Sequence, residues 1–191
     1  MAYDGHVMRQ NQPRRPRALL AAALLFSQAA TSAAAQDAPF GLSWGPVAQV
    51  PRPSTATKEA NITSLVYQRE RLPAGLADTD EVVLEVCEQE GLQRVLWFSQ
   101  PLSAEQAEAR YAAARAEGTQ RYGEAVEDLR HDGLTWPGGR TSLARHQDEQ
   151  GRWRLTMASA GPDFEACAKQ YLEQTGQLAP GPSPQPNVAP E

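Results

Sequence analysis

Two strand-like segments joined by a tight polar turn set the strongest limit on how this chain folds. Residues 82–87 and 92–98 are rich in β-branched and aromatic side chains, and the polar residues 88–91, which end in glycine, separate them. This pattern predicts a β-hairpin, and therefore a sheet that is at least partly antiparallel. Because residues 96–98 are bulky on both faces of their strand, we expect that strand to lie in the middle of the sheet.

Further patterns add helices and a second hairpin. Ser103 followed by Gln106 forms a capping box and predicts the start of an alanine-rich helix. Residues 152–157 alternate between apolar and polar side chains, and residues 141–146 are expected to be their partner strand. A last helix is expected to end just before Gly176. The sequence therefore predicts an α+β fold, with a mainly antiparallel sheet of about five to six strands packed by about two to three helices.

Three segments give weaker signals. Residues 40–45 have the aromatic content of a short edge strand. Residues 51–58 are polar and contain two prolines, so we expect an irregular connection there. Residues 122–129 keep a helical spacing of apolar side chains beyond Gly118 and Gly123. That spacing predicts either a continuation of the first helix or a second short helix.

The first 35 residues have the three parts of a secretory signal peptide. Four arginines precede an apolar run at residues 18–26, and a small-residue stretch that ends in Ala33-Ala34-Ala35 follows. We expect cleavage after Ala35 and export to the periplasm or the exterior by the general secretory route. The apolar run is shorter than the ~20 residues that span a bilayer. No stable membrane anchor is therefore expected after cleavage.

The opposite end of the chain has the composition of an unfolded tail. Residues 176–191 contain five prolines and a single charged residue, Glu191. Such a segment buries too little apolar surface to fold and is expected to stay extended and mobile. A polyproline ligand for a partner protein is the alternative interpretation. The folded α+β domain is then expected to span residues 36–175.

The net charge argues against nucleic-acid partners. Residues 1–35 hold four of the 18 basic residues and one of the 23 acidic residues, so the exported chain would carry about −8. A protein of this charge repels phosphate backbones and anionic lipid surfaces. We therefore expect no nucleic acid as partner, and instead another envelope protein or a small ligand.

The only two cysteines, Cys87 and Cys167, are expected to form a disulfide. An exported chain with an even number of cysteines meets an oxidising compartment. The bond would close a loop of 80 residues, for which chain-entropy estimates give about 4 kcal/mol. Two alternatives stay open at this point: a catalytic thiol, which needs a nearby histidine, and a thiolate metal ligand, which needs closely spaced partner ligands.

The usual catalytic motifs are absent from the sequence. It contains no G-x-S-x-G, H-E-x-x-H, G-x-x-x-x-G-K-[ST] or G-x-G-x-x-G pattern. We predict no cofactor, no metal and no catalytic residue, and hence a non-enzymatic accessory or binding protein. The alternative is an envelope hydrolase whose site is assembled from dispersed residues such as His131, His146 and Asp148.

Candidate binding residues come from a loop and from the front of the domain. Trp136 precedes a Pro-Gly-Gly turn, and Arg140 follows it at the start of a strand. Exposed Trp and Arg are enriched at binding hot spots, so these two, together with Trp44, are the candidate contacts. The alternative for Trp136 is that it folds back onto the core, where large aromatic side chains are usually found.

One short motif carries a resemblance. The sequence F-G-L-S-W-G at residues 40–45 directly follows the expected signal peptide. An F-G-L-x-W-G opening resembles that of many small periplasmic proteins of Gram-negative bacteria. The resemblance implies export to the periplasm; it implies no activity and no functional residue.

Overall fold

The computed structural model describes residues 38–47, 50–71, 78–128, 132–138 and 140–179. All of them fall within a compact unit that spans Ala35–Glu191. The expected signal peptide and residues 180–191 of the expected tail lie outside the described residues. The signal peptide and the extended tail therefore stay predictions.

One antiparallel sheet forms the centre of the described structure. Its strands are β1 (Thr55–Glu59), β2 (Ile62–Gln68), β3 (Thr79–Cys87), β4 (Gly91–Ser99), β5 (Val126–Asp128), β6 (Gly133–Thr135), β7 (Thr141–Gln147) and β8 (Trp153–Ala160). Their order across the sheet is β1-β2-β3-β4-β8-β7-β6-β5, and every neighbouring pair is antiparallel. The predicted α+β class with a mainly antiparallel sheet is confirmed.

The predicted number of strands was wrong, since the sheet has eight strands rather than five to six. All five residues of β1 are exposed, so this edge strand has no apolar alternation to reveal it. It lies in the segment that was expected to be irregular. β5 and β6 have three residues each, which is too short for a periodic signal. β1, β5 and β6 form because their backbones pair with neighbouring strands, and a local sequence pattern does not record such pairing.

The two predicted hairpins are present and occupy the middle of the sheet. β3 pairs with β4, and β7 pairs with β8. β4 also pairs with β8, so it has a partner on each side, as its bulk on both faces predicted. Residues 92–97 of β4 are all buried, so side chains on both faces of this strand are covered.

The two helices begin and end where local chemistry dictates. In α1 (Ala104–Tyr122) the Ser103 hydroxyl accepts a hydrogen bond from the Gln106 backbone N–H, and the Gln106 side chain accepts one from the Ser103 N–H. Gly123, with a φ of 90°, ends α1. The predicted alternatives, a continuation of the first helix or a second short helix, were therefore both wrong for residues 123–128, because the chain turns at this glycine and enters β5.

α2 (Phe164–Thr175) is the second helix, and Gly176 ends it as predicted. Gly176 adopts a left-handed conformation with a φ of 70°, which glycine tolerates best. Among the described residues, neither helix is both long and apolar enough to cross a membrane.

α1 and α2 pack on opposite faces of the sheet. Side chains three positions apart in a strand point to opposite sides, as Leu84 and Cys87 do in β3. Leu84 belongs to the main core, which includes Ala107 of α1. Cys87 belongs to a smaller cluster with Cys167 and Tyr171 of α2. The buried members of the main core are Ala38, Tyr67, Val82, Leu84, Leu92, Val95, Trp97, Ala107, Leu134, Trp136, Leu143 and Leu155.

The segment before β1 packs against the main core without forming a strand. After a 3₁₀ turn at Pro39–Gly41, Gly45 exchanges two backbone hydrogen bonds with Leu92 and makes only an isolated bridge. The expected edge strand at residues 40–45 was wrong for this reason. Contact with β4 is so close that a Cβ added to Gly91 would lie 2.1 Å from the Gly45 carbonyl oxygen. Position 91 therefore requires glycine for two reasons: there is no space for a Cβ, and the backbone has a positive φ of 72°.

Candidate functional site

The two cysteines lie at disulfide distance, as the sequence predicted. Cys87 at the end of β3 and Cys167 in the second turn of α2 have bonded Sγ atoms and Cα atoms 6.0 Å apart. Both side chains are buried. The bond ties α2 to the sheet across 80 residues of sequence. Because α2 buries few apolar side chains of its own, the disulfide is a main reason why it stays on this face.

A buried polar side chain next to the disulfide reinforces the attachment. Asn61, only 1% exposed, donates from Nδ2 to the Cys167 carbonyl oxygen at 3.0 Å. The same Nδ2 lies 3.6 Å from the Cys167 Sγ atom. Asn61 belongs to the β1–β2 turn, so this contact connects the turn to α2.

Trp136 lies in the core rather than on the surface. It is only 2% exposed, and its ring packs edge-on to Tyr122 with centroids 6.1 Å apart. A Cβ added to Gly118 of α1 would lie 2.1 Å from the Trp136 ring, so the helix carries glycine where the indole needs space. Trp136 is therefore unavailable as an exposed contact, which corrects its place among the binding candidates in favour of the core alternative.

Arg140 and Trp44, the other two candidates, lie at the same end of the sheet. Arg140 is exposed, and its carbonyl oxygen accepts a hydrogen bond from the Ala160 N–H at 2.7 Å. The next residue, Gly161, lies directly against the Trp44 ring, since a Cβ added to it would be 2.9 Å from Trp44 Cε3. Trp44 is half-buried and packs against the main core. Arg140 makes no ion pair with any described residue.

The proposed hydrolase residues do not form a described catalytic group. His131 lies outside the described residues, and His146 is half-buried on β7. Burial, and secondly the nearby Arg154, lower the pKa of His146, against an opposing effect of Asp148. Asp148 stabilises the turn in which it lies, because its carboxylate accepts hydrogen bonds from the backbone of Gln150 and from the backbone and side chain of Arg152.

A charged cluster that sequence reasoning missed fixes α1 to the sheet. Arg145 of β7 donates to Asp132 Oδ2 at 2.9 Å and to Glu108 Oε2 of α1 at 2.5 Å. Its guanidinium also lies 4.8 Å from the ring centre of Tyr111 and 5.7 Å from that of Trp153. The available signal was a charged residue at a position where the alternation of β7 calls for an apolar one, on the same face as Leu143.

A buried ion pair beneath α2 was missed as well. Glu85 and Arg94 face each other across β3 and β4, with Arg94 Nη2 2.5 Å from Glu85 Oε1. Both side chains are nearly inaccessible, at 5% and 6% exposure, and the ring of Phe164 covers the guanidinium at 5.2 Å. The signal in the sequence was an acidic and a basic residue, one in each strand of the predicted hairpin. The pair is a structural contact under the helix rather than an accessible site.

Comparisons with protein families, curated proteins and solved structures found no match to this chain. The resemblance of residues 40–45 to periplasmic proteins therefore stays a prediction.

Proposed function

We propose that this chain is an exported protein that works by binding another component of the cell envelope rather than by catalysis. The observation that carries the proposal is the exposed side chain of Arg140, which makes no ion pair with any described residue, at the sheet end that also holds Trp44. Exposed arginine and tryptophan side chains are enriched at protein interfaces.

The surroundings of Arg140 support this role. Its backbone is fixed by the hydrogen bond to Ala160 at 2.7 Å, so the side chain extends from an ordered strand end rather than from a free loop. Trp44 is half-buried, with its ring against the neighbouring Gly161, so an aromatic side chain lies at the same end of the sheet as Arg140. Such a surface suits a partner that presents a carboxylate beside an apolar group.

The cysteine pair supports export. A buried disulfide that fixes a helix suits a protein that folds in an oxidising compartment. It agrees with the signal-peptide composition of residues 1–35, on which the proposed localisation mainly depends.

An affinity experiment with residues 36–191 tests the proposal. The chain is used to capture envelope components, each captured component is purified, and its dissociation constant is measured for wild type, Arg140→Ala and Arg121→Ala. Arg121, exposed in the last turn of α1, is the matched control. A true partner should bind Arg140→Ala at least about tenfold more weakly, equivalent to about 1.4 kcal/mol, and the control unchanged. Equal binding by wild type and Arg140→Ala would contradict the proposal.

Hydrolysis is the weaker candidate. Asp148 is engaged in its own turn, and His146 pairs in register with Arg154, whose positive charge opposes protonation of the imidazole. If His146→Ala abolished a hydrolytic activity found in the purified chain, while leaving its stability unchanged, the binding-only proposal would fail.

A further inference from the structure

The hairpin turn between β3 and β4 places a carboxylate beside the two cysteines. The ligand atoms of Cys87, Glu90 and Cys167 all lie within 4.8 Å of one another. Glu90 Oε1 accepts a hydrogen bond from Gln170 Nε2 at 2.7 Å, whereas Oε2 is buried and has no hydrogen-bond partner in the described part of the chain. A buried carboxylate oxygen without a partner is unfavourable unless a donor, a water or a cation is present.

The backbone at this turn has the spacing of a metal-binding loop. Cys87 and Glu90 are three positions apart, and Gly91 follows with a φ of 72°. The third side chain, Cys167, comes from an early turn of α2. Thiolates and carboxylates are both Zn²⁺ ligands in proteins, and a site with three protein ligands leaves the fourth tetrahedral position to water. The sequence alone did not reveal this, because the second ligand of the turn is glutamate rather than cysteine.

Polar neighbours already orient two of the three ligands. Gln170 fixes the Glu90 carboxylate through Oε1, which leaves Oε2 on the unpaired side. Asn61, only 1% exposed, donates from Nδ2 to the Cys167 carbonyl oxygen at 3.0 Å, and the same Nδ2 lies 3.6 Å from the Cys167 sulfur. Its Oδ1 atom is buried and has no hydrogen-bond partner among the described residues. Outer hydrogen bonds of this kind hold metal ligands in place and tune their basicity.

We propose that the dithiol form of this chain binds one Zn²⁺ through Cys87, Cys167 and Glu90. In that form the two thiols lose their protons as two Zn–S bonds form, and no electrons are exchanged. The disulfide that the structure shows is the oxidised state of the same two cysteines. Its formation transfers two electrons to a thiol–disulfide oxidant and releases two protons, and it excludes the metal. The inference depends on neither the export of the chain nor a role for Arg140.

A zinc titration of the reduced protein tests the site. Residues 36–191 are reduced with a phosphine under anaerobic conditions, and Zn²⁺ is titrated in competition with a chromophoric chelator. We expect one Zn²⁺ per chain and a higher melting temperature with Zn²⁺ than without it. Co²⁺ should give a sulfur-to-cobalt charge-transfer band. The disulfide form should show neither effect.

Matched variants separate a built site from adventitious binding to two thiols. Glu90→Gln should weaken Zn²⁺ binding by at least about tenfold, and Gln170→Ala should weaken it by a smaller factor. Glu88→Gln is the control, since Glu88 lies in the same turn with an exposed side chain that pairs with Lys58. Equal Zn²⁺ affinity of Glu90→Gln and Glu88→Gln would overturn the proposal. So would Zn²⁺ binding by the reduced Cys87→Ser variant as tight as that of wild type, or a reduced wild type that Zn²⁺ neither binds nor stabilises.

Discussion

At the scale of single residues, the opposite charges of Glu85 and Arg94 attract each other, but both side chains lose their hydration because they are buried. Burial raises the pKa of Glu85, and the charge and hydrogen bond of Arg94 oppose that effect without cancelling it. Glu85 Oε2 and Arg94 Nε have no hydrogen-bond partners among the described residues. The folded chain therefore holds an ion pair whose charged form is only partly compensated.

This raised pKa predicts a pH dependence of stability. A carboxyl group whose pKa is higher in the folded than in the unfolded chain stabilises the fold most below its ordinary pKa of 4.5. That stabilisation is lost as the pH rises through the folded value. The free energy of unfolding of wild type should thus decrease, relative to Glu85→Gln, as the pH rises from about 4 to about 7. Urea unfolding of both proteins across this range measures it.

Two features make the comparison of Glu85 with its glutamine variant specific. Glu81, whose pKa burial also raises, is present in both proteins, so its effect cancels in the difference. Glu88→Gln, which changes an exposed carboxylate in the neighbouring turn, is the matched control variant. A constant difference between wild type and Glu85→Gln over the whole range would contradict the assignment.

The close contact between Gly118 and the Trp136 ring predicts how a side chain added at position 118 changes stability. Alanine is a better helix former than glycine by about 1 kcal/mol, so local propensity alone predicts that Gly118→Ala stabilises α1. Its Cβ would, however, lie 2.1 Å from the Trp136 ring. We expect a net destabilisation of about 1–3 kcal/mol, measured as a lower urea midpoint.

A second substitution distinguishes the clash at Gly118 from a general helix effect. Trp136→Phe removes the part of the indole that faces Gly118. In the background of Trp136→Phe, the substitution Gly118→Ala should be close to neutral, and a double-mutant cycle should give a favourable coupling energy. Additive effects of the two substitutions would show that the ring contact is not the cause.

At the scale of elements, Arg145 joins α1 to the sheet by contacts that depend on the planar guanidinium. It donates to carboxylates on α1 and after β5, and it lies between two aromatic rings. Lysine keeps the charge but loses the fork and the stacking. We expect Arg145→Lys to lower the free energy of unfolding by about 1–2 kcal/mol. Arg115→Lys, at a solvent-exposed pair with Glu127, should change it by less than about 0.5 kcal/mol. Equal urea midpoints of the two variants would contradict this role.

How far the elements could be predicted depends on whether their causes are local. The capping box at Ser103 and the end of α2 at Gly176 are fixed by nearby residues, and both were predicted. β1 forms because its backbone pairs with β2, although its side chains are exposed and polar. The burial of Trp136 depends on a glycine 18 positions away in α1. Glu90 lies only three positions from Cys87, but the direction of its carboxylate toward the sulfurs depends on the geometry of the turn and on Gln170 of α2, which no local pattern records.

At the scale of the whole molecule, the segment before β1 links the expected export signal to the folded domain. The expected cleavage site after Ala35 lies only three residues before Ala38, which is completely buried in the main core. The start of the exported chain is thus expected to become part of the fold. The side chains of this segment that pack on the core are Ala38, Leu42, Trp44, Val47 and Val50.

Truncation measures the contribution of this segment. A chain that begins at residue 36 keeps these five side chains and the hydrogen bonds between Gly45 and Leu92, whereas one that begins at residue 51 loses them all. Burial of a large apolar side chain stabilises a fold by about 1.5–3 kcal/mol, and most of these are only partly buried. We expect the shorter chain to be less stable by at least about 3 kcal/mol in urea unfolding. Equal stability of the two chains would mean that residues 38–50 lie on the core without supporting it, and that the folded domain begins at β1.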